Sequence, residues 1–331
     1  MIEFQSVSKM YGLVNGVNDV CMKLEPGAHG LLGENGSGKT TMINLITGQL
    51  RPTIGSVTVF GEDPWGKEEM LRRIGLCPAV DVLYSNVSAY EWVNYQVRLM
   101  GFDWKEARQR AENALSIVGM TDGMYRKIGG YSLGMRQRTK LAQAIAHEPE
   151  LLILDEPYNG LDPIGRQSMT DLLREMIKNG TSVIVASHVL HEVEAIDPSL
   201  LLMVKGRMLA QGPPEEIHEV LASQHSQAKA QESGTDTEIS EHKPMLEIFV
   251  RSNNNYVLAR KLFDRIRLQG FTISPDENEL TISTTDMDKT YEQISQIILE
   301  ENIDVYEIRS AKASLDDLFS SLMKIHRGDA G

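Results

Sequence analysis

Hydrophobic positions follow three successive patterns along the chain, and each pattern predicts a different kind of element. Short apolar runs near the N-terminus, separated by turn residues, predict strands over residues 2–7, 17–24 and 56–59. From about residue 87 to 147 apolar side chains recur every three or four residues, which is the helical spacing. Continuous apolar runs then return, and they predict strands over residues 151–154, 182–186, 200–204 and 208–210. Because helical segments separate most of these runs, the pattern predicts a mainly parallel, buried sheet.

The polarity of the chain changes sharply beyond residue 222. Ile239 is the one large aliphatic side chain in residues 223–243, so residues 223–244 are predicted to be a flexible linker. This linker would separate an N-terminal domain, residues 1–222, from a C-terminal domain, residues 245–331. The second domain is predicted to run strand, helix, strand, strand, helix and strand, over residues 246–250, 256–268, 271–274, 280–283, 287–300 and 305–309. That order is typical of a ferredoxin-like α+β domain, here with a turn at 275–278 and an extra helix over 314–324.

The composition narrows the classes of partner and compartment. The chain has 331 residues, with 33 Lys and Arg against 46 Asp and Glu and a formal net charge of −13, so we expect no nucleic-acid partner. Cys21 and Cys77 are too few for a disulfide framework or a four-ligand zinc site, which favours a reducing compartment. The sequence shows neither a secretory signal nor an apolar run near the ~20 residues of a spanning helix. We therefore expect a cytoplasmic protein that acts at a membrane only through a partner.

A glycine-rich loop follows an apolar strand candidate at residues 31 and 32. It matches G-x-x-x-x-G-K-[ST] and comprises Gly33, Glu34, Asn35, Gly36, Ser37, Gly38, Lys39 and Thr40. Glycines let such a loop fold back so that its N–H groups face phosphate oxygens beside a helix N-terminus, and a helix is predicted over residues 39–47. Lys39 would bind phosphate, the Thr40 hydroxyl would coordinate Mg²⁺, and Thr41 belongs to the same predicted nucleotide site. A chance glycine-rich turn is the alternative.

Two carboxylates, Asp155 and Glu156, follow directly after the apolar run at 151–154. The end of a buried strand beside a phosphate loop is where an α/β sheet places its ligand chemistry. Asp155 would hold Mg²⁺ through water, and Glu156 would act as general base on the attacking water. Acidic residues that cap the next helix are the alternative, which the preceding phosphate loop makes less favourable. Together the two elements predict nucleotide hydrolysis.

Three further motifs, which lie between and after these two elements, point to one family. They are YSLGMRQR at residues 131–138, NGLDP at 159–163, and Ser187-His188. With the phosphate loop and the acidic strand end, they resemble the motif set of ABC transporter ATP-binding subunits, and the resemblance covers residues 1–220. The methionine at 135 resembles the signature variant of the ABC-2 type exporter branch.

The resemblance implies an architecture and a set of partners. The fold would be a P-loop NTPase (ABC ATPase) α/β core with an antiparallel β subdomain and a helical subdomain at about 82–147, plus the C-terminal ferredoxin-like domain. Such a protein would bind ATP and Mg²⁺, dimerise on ATP head to tail with an identical or paralogous ATPase subunit, and drive a separate integral membrane permease. It would lie peripherally at the cytoplasmic face of the cell membrane.

The resemblance also implies roles for single residues. Glu156 and His188 would be catalytic, and Thr40 and Asp155 would hold the metal. Ser132 and the Gly134 backbone would contact the γ-phosphate bound to the partner subunit, Asp162 would link the two sites, and Tyr11 would stack on adenine. On their own, His188 is as readily a surface or capping residue, and Tyr11 a core or surface tyrosine.

One residue departs from the family pattern, and two other regions have more than one possible role. Ala79 stands where the family has a Gln that ligates Mg²⁺ and senses the membrane partner, so we predict slow hydrolysis with retained ATP binding, unless another residue or water substitutes. The aromatic residues Tyr90, Trp92 and Tyr95 would line a groove for a membrane partner or be plain core. The segment 306–322 resembles a domain appended to some ABC-2 type ATPases, where it would serve dimer contact, regulation or passive packing.

Two other functions compete with the transporter interpretation. A soluble ABC ATPase acting on ribosomes or DNA usually carries two cassettes or a coiled-coil insert, whereas this chain has one cassette and is acidic. A nucleotide-binding regulator that dimerises on ATP but barely hydrolyses it is the second alternative, and Ala79 is the residue that suggests it.

Overall fold

The computed structural model describes residues 1–196, 198–214, 216, 217, 220, 221, 246–266, 268, 270–274, 279–284 and 286–312. The chain divides into two compact units, Met1–Pro214 and Glu215–Gly331. The predicted linker at 223–244, turn at 275–278 and helix at 314–324 lie outside the described residues, so the predicted domain limit at residue 222 stays a prediction. Within the described ranges, no helix combines the length and apolar character that crossing a membrane requires.

The first unit contains two sheets. In chain order its strands are β1 (Ile2–Tyr11), β2 (Val14–Leu24), β3 (Ala28–Leu32), β4 (Ile54–Val59), β5 (Ile74–Cys77), β6 (Leu151–Asp155), β7 (Ser182–Ser187), β8 (Ser199–Val204) and β9 (Arg207–Gly212). A three-stranded antiparallel sheet has the order β2-β1-β4. A six-stranded sheet has the order β5-β6-β7-β3-β8-β9 and is parallel except for the β8–β9 pair. The structure therefore contains the mainly parallel sheet that the apolar runs predict.

The helices of the first unit connect and cover these strands. They are α1 (Lys39–Ile46), α2 (Glu68–Leu71), α3 (Ala89–Leu99), α4 (Trp104–Ile117), α5 (Leu133–Ile145), α6 (Pro163–Lys178) and α7 (Leu190–Glu194). Every residue of β6 and β7 is buried, because these two strands lie inside the sheet, with a neighbouring strand on each side. One apolar core joins both sheets to the buried side chains of α1, which are Met42, Ile43, Leu45 and Ile46. This core fixes the start of α1 relative to the ends of β3, β6 and β7.

The helical part of the first unit is formed by α3, α4 and α5, and each helix begins at a polar N-cap. Ser88 and Glu91 form a capping box on α3, Asp103 caps α4, and Ser132 caps α5. Trp92 is only 8% exposed, and its Nε1 donates to Gln143 Oε1 at 2.7 Å, so it belongs to the packing between α3 and α5. Of the three aromatic groove candidates, Tyr95 is the exposed one. The groove assignment stays a prediction.

The second unit has the element order expected of a ferredoxin-like domain. It comprises β10 (Leu246–Ser252), α8 (Asn255–Arg265), β11 (Gly270–Ser274), β12 (Glu279–Thr284), α9 (Met287–Glu301) and β13 (Val305–Lys312). The strands form an antiparallel sheet in the order β11-β12-β10-β13. Its core joins Ile248 and Val250 of the sheet to Leu258 and Leu262 of α8. Helix α8 ends at Arg265, earlier than predicted, because Ile266 has an extended backbone with φ −135°.

Candidate active site

The glycine-rich loop connects β3 to α1, as the sequence predicts. Gly38 caps α1 with φ +106°, in the left-handed region, and a Cβ on this residue would lie 2.3 Å from the carbonyl oxygen of Gly16. Only glycine fits both restrictions. No side chain caps the helix and its first turn carries no acidic residue, so its N–H groups are open to an anion. Within the described part of the chain, the buried Ser37 Oγ has no hydrogen-bond partner, and a phosphate oxygen would satisfy it.

The Lys39 side chain folds back and binds carbonyl oxygens of its own loop. Its Nζ donates to the carbonyl oxygens of Gly33 at 2.5 Å and Glu34 at 3.1 Å, and it lies 3.9 Å from Glu156 Oε1. Burial lowers the pKa of Lys39, and the nearby charges of Glu156 and Asp155 oppose that shift. A buried ammonium beside a helix N-terminus is a site for phosphate oxygens, which are stronger acceptors than the carbonyls that hold it here.

Thr40 and Asp155 meet between α1 and the end of β6. Thr40 Oγ1 donates to Asp155 Oδ2 at 3.1 Å, and Asp155 is buried. Burial raises the pKa of Asp155, and the negative charge of Glu156 adds to the rise. A cation would relieve the cost of this buried charge. A hydroxyl and a carboxylate are hard oxygen ligands of the kind that Mg²⁺ takes, so the residues present fit the predicted metal.

Glu156 and His188 follow neighbouring parallel strands and contact each other. His188 Nδ1 lies 2.9 Å from Glu156 Oε1 and 3.0 Å from Oε2. Glu156 has φ +51°, which is uncommon for a residue with a side chain, and its backbone N–H donates to the carbonyl of Ala186 in β7 at 2.8 Å. Strained backbone of this kind clusters at functional sites. Here it turns the chain at the strand end, where the Glu156 carboxylate meets the imidazole.

Tyr11 lies near the start of α1. Its hydroxyl is 3.5 Å from Thr41 Oγ1, and its ring packs so closely on Gly16 that a Cβ there would lie 2.7 Å from a ring carbon. The side chain is 47% exposed. The structure thus brings Tyr11 and Thr41 together beside the phosphate loop, with the exposed Asn35 and Gly36 at the tip of that loop.

Ser132, Gly134 and Asp162 lie in a different place, along an open groove of about 630 Å³. Ser132 caps α5 by accepting from the N–H of Met135 at 3.3 Å. Asp162 caps α6 by accepting from the N–H of Gly165 at 2.9 Å. Both polar side chains therefore stand at helix N-termini that border the groove. The intervening Leu133 is 70% exposed.

Sequence reasoning missed the residues that support these groups. Lys140, buried in α5, donates to the carbonyls of Pro78 at 2.7 Å, Ala79 at 3.3 Å and Val80 at 3.5 Å. Ala79 itself is exposed. A lysine eight residues beyond a capping serine gives no signal of this contact, because the loop that it holds is about sixty residues away in sequence.

A second missed set lies behind Glu156. Ser187 Oγ donates to Glu192 Oε2 at 2.9 Å and lies 3.4 Å from Glu156 Oε2. Glu192 is buried and pairs with Arg166 of α6, whose Nη1 is 2.7 Å from Glu192 Oε1. The sequence offers one weak signal, a glutamate four residues after His188 on a short helix. Its partner on α6 cannot be found from spacing alone.

Known proteins resemble this chain over one unit or over both. The family model described as ABC transporter matches residues 17–159. The bacitracin transport ATP-binding protein BcrA of Bacillus licheniformis is 30% identical over 327 residues, which cover 98% of this chain and 97% of that protein. The Nod factor export ATP-binding protein I of Burkholderia thailandensis is 33% identical over 220 residues, which cover 66% of this chain and 72% of that protein. A dimeric ATP-binding cassette solved in a post-hydrolysis state with ADP and phosphate shares the fold, with a TM-score of 0.60 and 22% identity over 64% of this chain and 98% of that one.

Proposed function

The chain belongs to the ATP-binding subunits of ABC transporters of the exporter type, and on that premise we propose that two such subunits close on two ATP molecules to drive a membrane permease. The family resemblance found in the sequence is confirmed, as is the predicted ABC ATPase fold class. The protein binds ATP and hydrolyses it as a transporter subunit. The alternative of a soluble or regulatory ATPase gains no support from these relatives.

The first part of the proposal assigns roles to the residues of the phosphate loop and of the strand end beside it. The loop N–H groups and Lys39 bind the β- and γ-phosphates, and Ser37 adds a hydroxyl. Thr40 and Asp155 hold Mg²⁺, which when bound neutralises charge on the phosphate oxygens. Within the described residues no cluster of three or more His, Cys, Asp or Glu side chains could hold a metal, which suits an ion that completes its shell with water and substrate phosphates.

Glu156 and His188 divide the work of hydrolysis. The Glu156 carboxylate takes a proton from the attacking water as general base. His188 Nδ1 contacts Glu156, which holds the ring in one orientation and leaves the second ring nitrogen, Nε2, available for the γ-phosphate. Lys39 Nζ, 3.9 Å from Glu156 Oε1, places a positive charge beside that carboxylate.

The open groove is the observation that supports a dimer. Ser132, Gly134 and Asp162 border an exposed groove. The family resemblance implies that Ser132 and Gly134 contact the γ-phosphate bound to the partner subunit and that Asp162 links the two sites. A second subunit turned head to tail would bring its own phosphate loop to this groove and complete both sites. The solved cassette in the post-hydrolysis state is itself a dimer.

A dimer is tested with the full-length Glu156→Gln variant, which we expect to bind ATP without cleaving it. We expect ATP with Mg²⁺ to double the mass measured by light scattering, and ADP to leave it unchanged. The Ser132→Arg variant in the same background is expected to stay monomeric, because a long cation at the cap obstructs the groove. A mass that does not depend on ATP would contradict the proposal.

The permease is tested by affinity purification from detergent-solubilised membranes of the host, with Glu156→Gln and ATP used to hold the closed state. We expect a multi-span membrane protein to copurify. Relatives named for bacitracin transport and Nod factor export point to an exported compound as cargo. Recovery of ribosomes, DNA-binding proteins or the chain alone would contradict the proposed permease partner.

A further inference from the structure

A line of polar contacts leads from Glu156, the proposed general base, into α6. Ser187 Oγ lies 3.4 Å from Glu156 Oε2 and 2.9 Å from Glu192 Oε2. Glu192 Oε1 accepts from Arg166 Nη1 at 2.7 Å. Arg166 Nε in turn donates to the carbonyl oxygen of Leu161 at 3.3 Å. Each link joins a different segment of the chain, so the line connects the ends of β6 and β7 to the turn before α6.

Glu192 is the centre of this line and is costly to bury. Its side chain is 6% exposed, and a carboxylate removed from water requires both a counter-charge and hydrogen bonds. Arg166 supplies the charge and Ser187 a hydrogen bond. Because Arg166 is 43% exposed, its guanidinium is the part of the line that a change at the surface can reach.

Ser187 has a single hydroxyl proton and two carboxylates near it. Its oxygen accepts from the N–H of Val189 at 3.1 Å, which fixes the position of the side chain. The shorter distance, 2.9 Å, is to Glu192, so the proton points there rather than to Glu156. While Glu192 accepts this hydrogen bond, the Ser187 hydroxyl occupies no lone pair of the Glu156 carboxylate, which leaves that lone pair for the attacking water.

We propose that Glu192 is a positioning residue that keeps Glu156 free to act as base and ties the Glu156–His188 pair, through Arg166, to the turn at Leu161 and Asp162. A displacement of that turn moves Arg166, weakens the hold of Glu192 on Ser187, and lets the Ser187 hydroxyl swing to Glu156. One lone pair of the Glu156 carboxylate then accepts the Ser187 hydrogen bond, so hydrolysis slows, while the phosphate loop is unchanged.

The regulatory part of this inference rests on the proposed dimer, since Asp162 lies on the groove where a second subunit would bind. The contacts of the positioning part all lie within one chain. The two parts fail separately: a chain that never dimerises on ATP defeats the proposed function, whereas unchanged turnover in the variants below defeats the positioning role.

The test measures steady-state ATP hydrolysis by the full-length chain carrying Glu192→Gln, Arg166→Gln or both. Glutamine has nearly the shape of glutamate but no charge for Arg166. We expect kcat to fall about tenfold in each single variant, as small misplacements of catalytic groups do, with KM within about twofold of the wild type. The double variant is expected to be no slower than the slower single variant, because both changes break one unit.

Two controls separate positioning from folding. Glu194→Gln changes an exposed glutamate on the same helix and is expected to leave kcat unchanged. Arg166→Lys keeps the positive charge and is expected to recover part of the lost kcat. If Glu192→Gln does not fold, the exposed Arg166 variants decide the question. Wild-type kcat in Arg166→Gln, or an equal loss of kcat and of ATP affinity, would overturn the proposal.

Discussion

The two sides of the candidate site are built in opposite ways. On the phosphate-loop side, formed by Lys39, Thr40, Asp155, Glu156 and His188, the charged side chains already bind one another within one chain. On the groove side, the Ser132 and Asp162 side chains cap their own helices, and together with Gly134 they border open space. The first side is assembled before any ligand arrives. The second has the same helix-end geometry but gains a chemical role only when another molecule fills the groove.

This difference separates two classes of variant. A change on the phosphate-loop side acts on chemistry and on the stability of a single chain, because buried charges there balance each other. A change on the groove side leaves those charges intact, so apart from the loss of a helix cap it should affect hydrolysis only when a second subunit fills the groove.

The largest effect is expected from Glu156→Gln, which removes the base but keeps the shape of the phosphate-loop side. General base catalysis contributes roughly 10²–10⁴-fold, so we expect a loss of kcat in that range with ATP affinity retained. Steady-state hydrolysis and binding of a fluorescent ATP analogue measure the two quantities. Glu150→Gln is the matched control, because Glu150 lies just before the other end of β6 and is exposed. Loss of nucleotide binding in Glu156→Gln would show that the carboxylate holds the loop rather than the water.

The Ser132→Ala variant tests whether this groove-side cap also contributes to hydrolysis, and Ser88→Ala is its control. Both serines cap helices of the same region, and loss of either cap is expected to cost about 1 kcal/mol of unfolding free energy. Only Ser132→Ala should also lower kcat, by roughly tenfold, since a hydrogen bond to a charged group is worth about 1.5–3 kcal/mol. Urea unfolding and hydrolysis assays separate the two effects. Equal kcat in both variants would mean that Ser132 is a cap and nothing more.

The Ala79→Gln variant restores the glutamine side chain that the family has at this position and that this chain lacks. Ala79 is exposed and its carbonyl is held by Lys140, so a longer side chain fits without displacing the loop. We expect turnover of the complex assembled with its permease to rise several-fold, with little change in ATP affinity, because a hard oxygen ligand is restored. Turnover equal to that of the wild type would mean that water or another residue already fills this role.

The smallest effect is expected on stability, from Asp155→Asn. Burial is the main reason that the pKa of Asp155 is raised, so the folded protein binds this proton more tightly than the unfolded chain does. The ionised carboxylate therefore costs stability. The cost is absent below the unfolded pKa of about 3.9, grows as pH rises towards the raised pKa, and is complete above it.

Without nucleotide, Asp155→Asn is thus expected to be more stable than the wild type at neutral pH, and the gain should vanish as pH falls through that window. Denaturant unfolding at several pH values measures it. Asp171→Asn, at an exposed position on α6, is the control and should change little. A variant less stable than the wild type at neutral pH would contradict the assigned direction.

The sequence predicts the phosphate-loop side well, because its signals are local. The loop, its lysine and the strand-end carboxylates are each contiguous, and the parallel sheet follows from continuous apolar runs such as β6 and β7. The strand order of the second unit follows from its element order in the same way. Trp92 shows the limit of local patterns, because helical spacing cannot distinguish a groove-lining residue from a core residue. In the structure the hydrogen bond from Trp92 to Gln143 places this side chain in the core.

The supporting contacts could not be predicted, because they join segments far apart in the chain. Lys140 reaches back about sixty residues to the carbonyls at 78–80, and Arg166 reaches forward 26 residues to Glu192. Neither depends on a motif. Each is fixed by the way helices α5, α6 and α7 pack on the sheet, which single-residue spacing does not encode.

The serine that caps α5 has a consequence for which side chains this position tolerates. A hydroxyl accepts from the N–H of Met135 and still has one proton to donate, whereas an ionised aspartate only accepts. The substitution Ser132→Thr would therefore keep both abilities, while Ser132→Asp would keep the helix capped but repel an incoming phosphate. The opposite holds at Asp162, whose acceptor-only carboxylate calls for a donor on the facing subunit. The two helix caps contribute similarly to folding but offer different hydrogen-bonding groups, so exchanging them should leave a well-folded chain whose groove no longer matches the proposed second subunit.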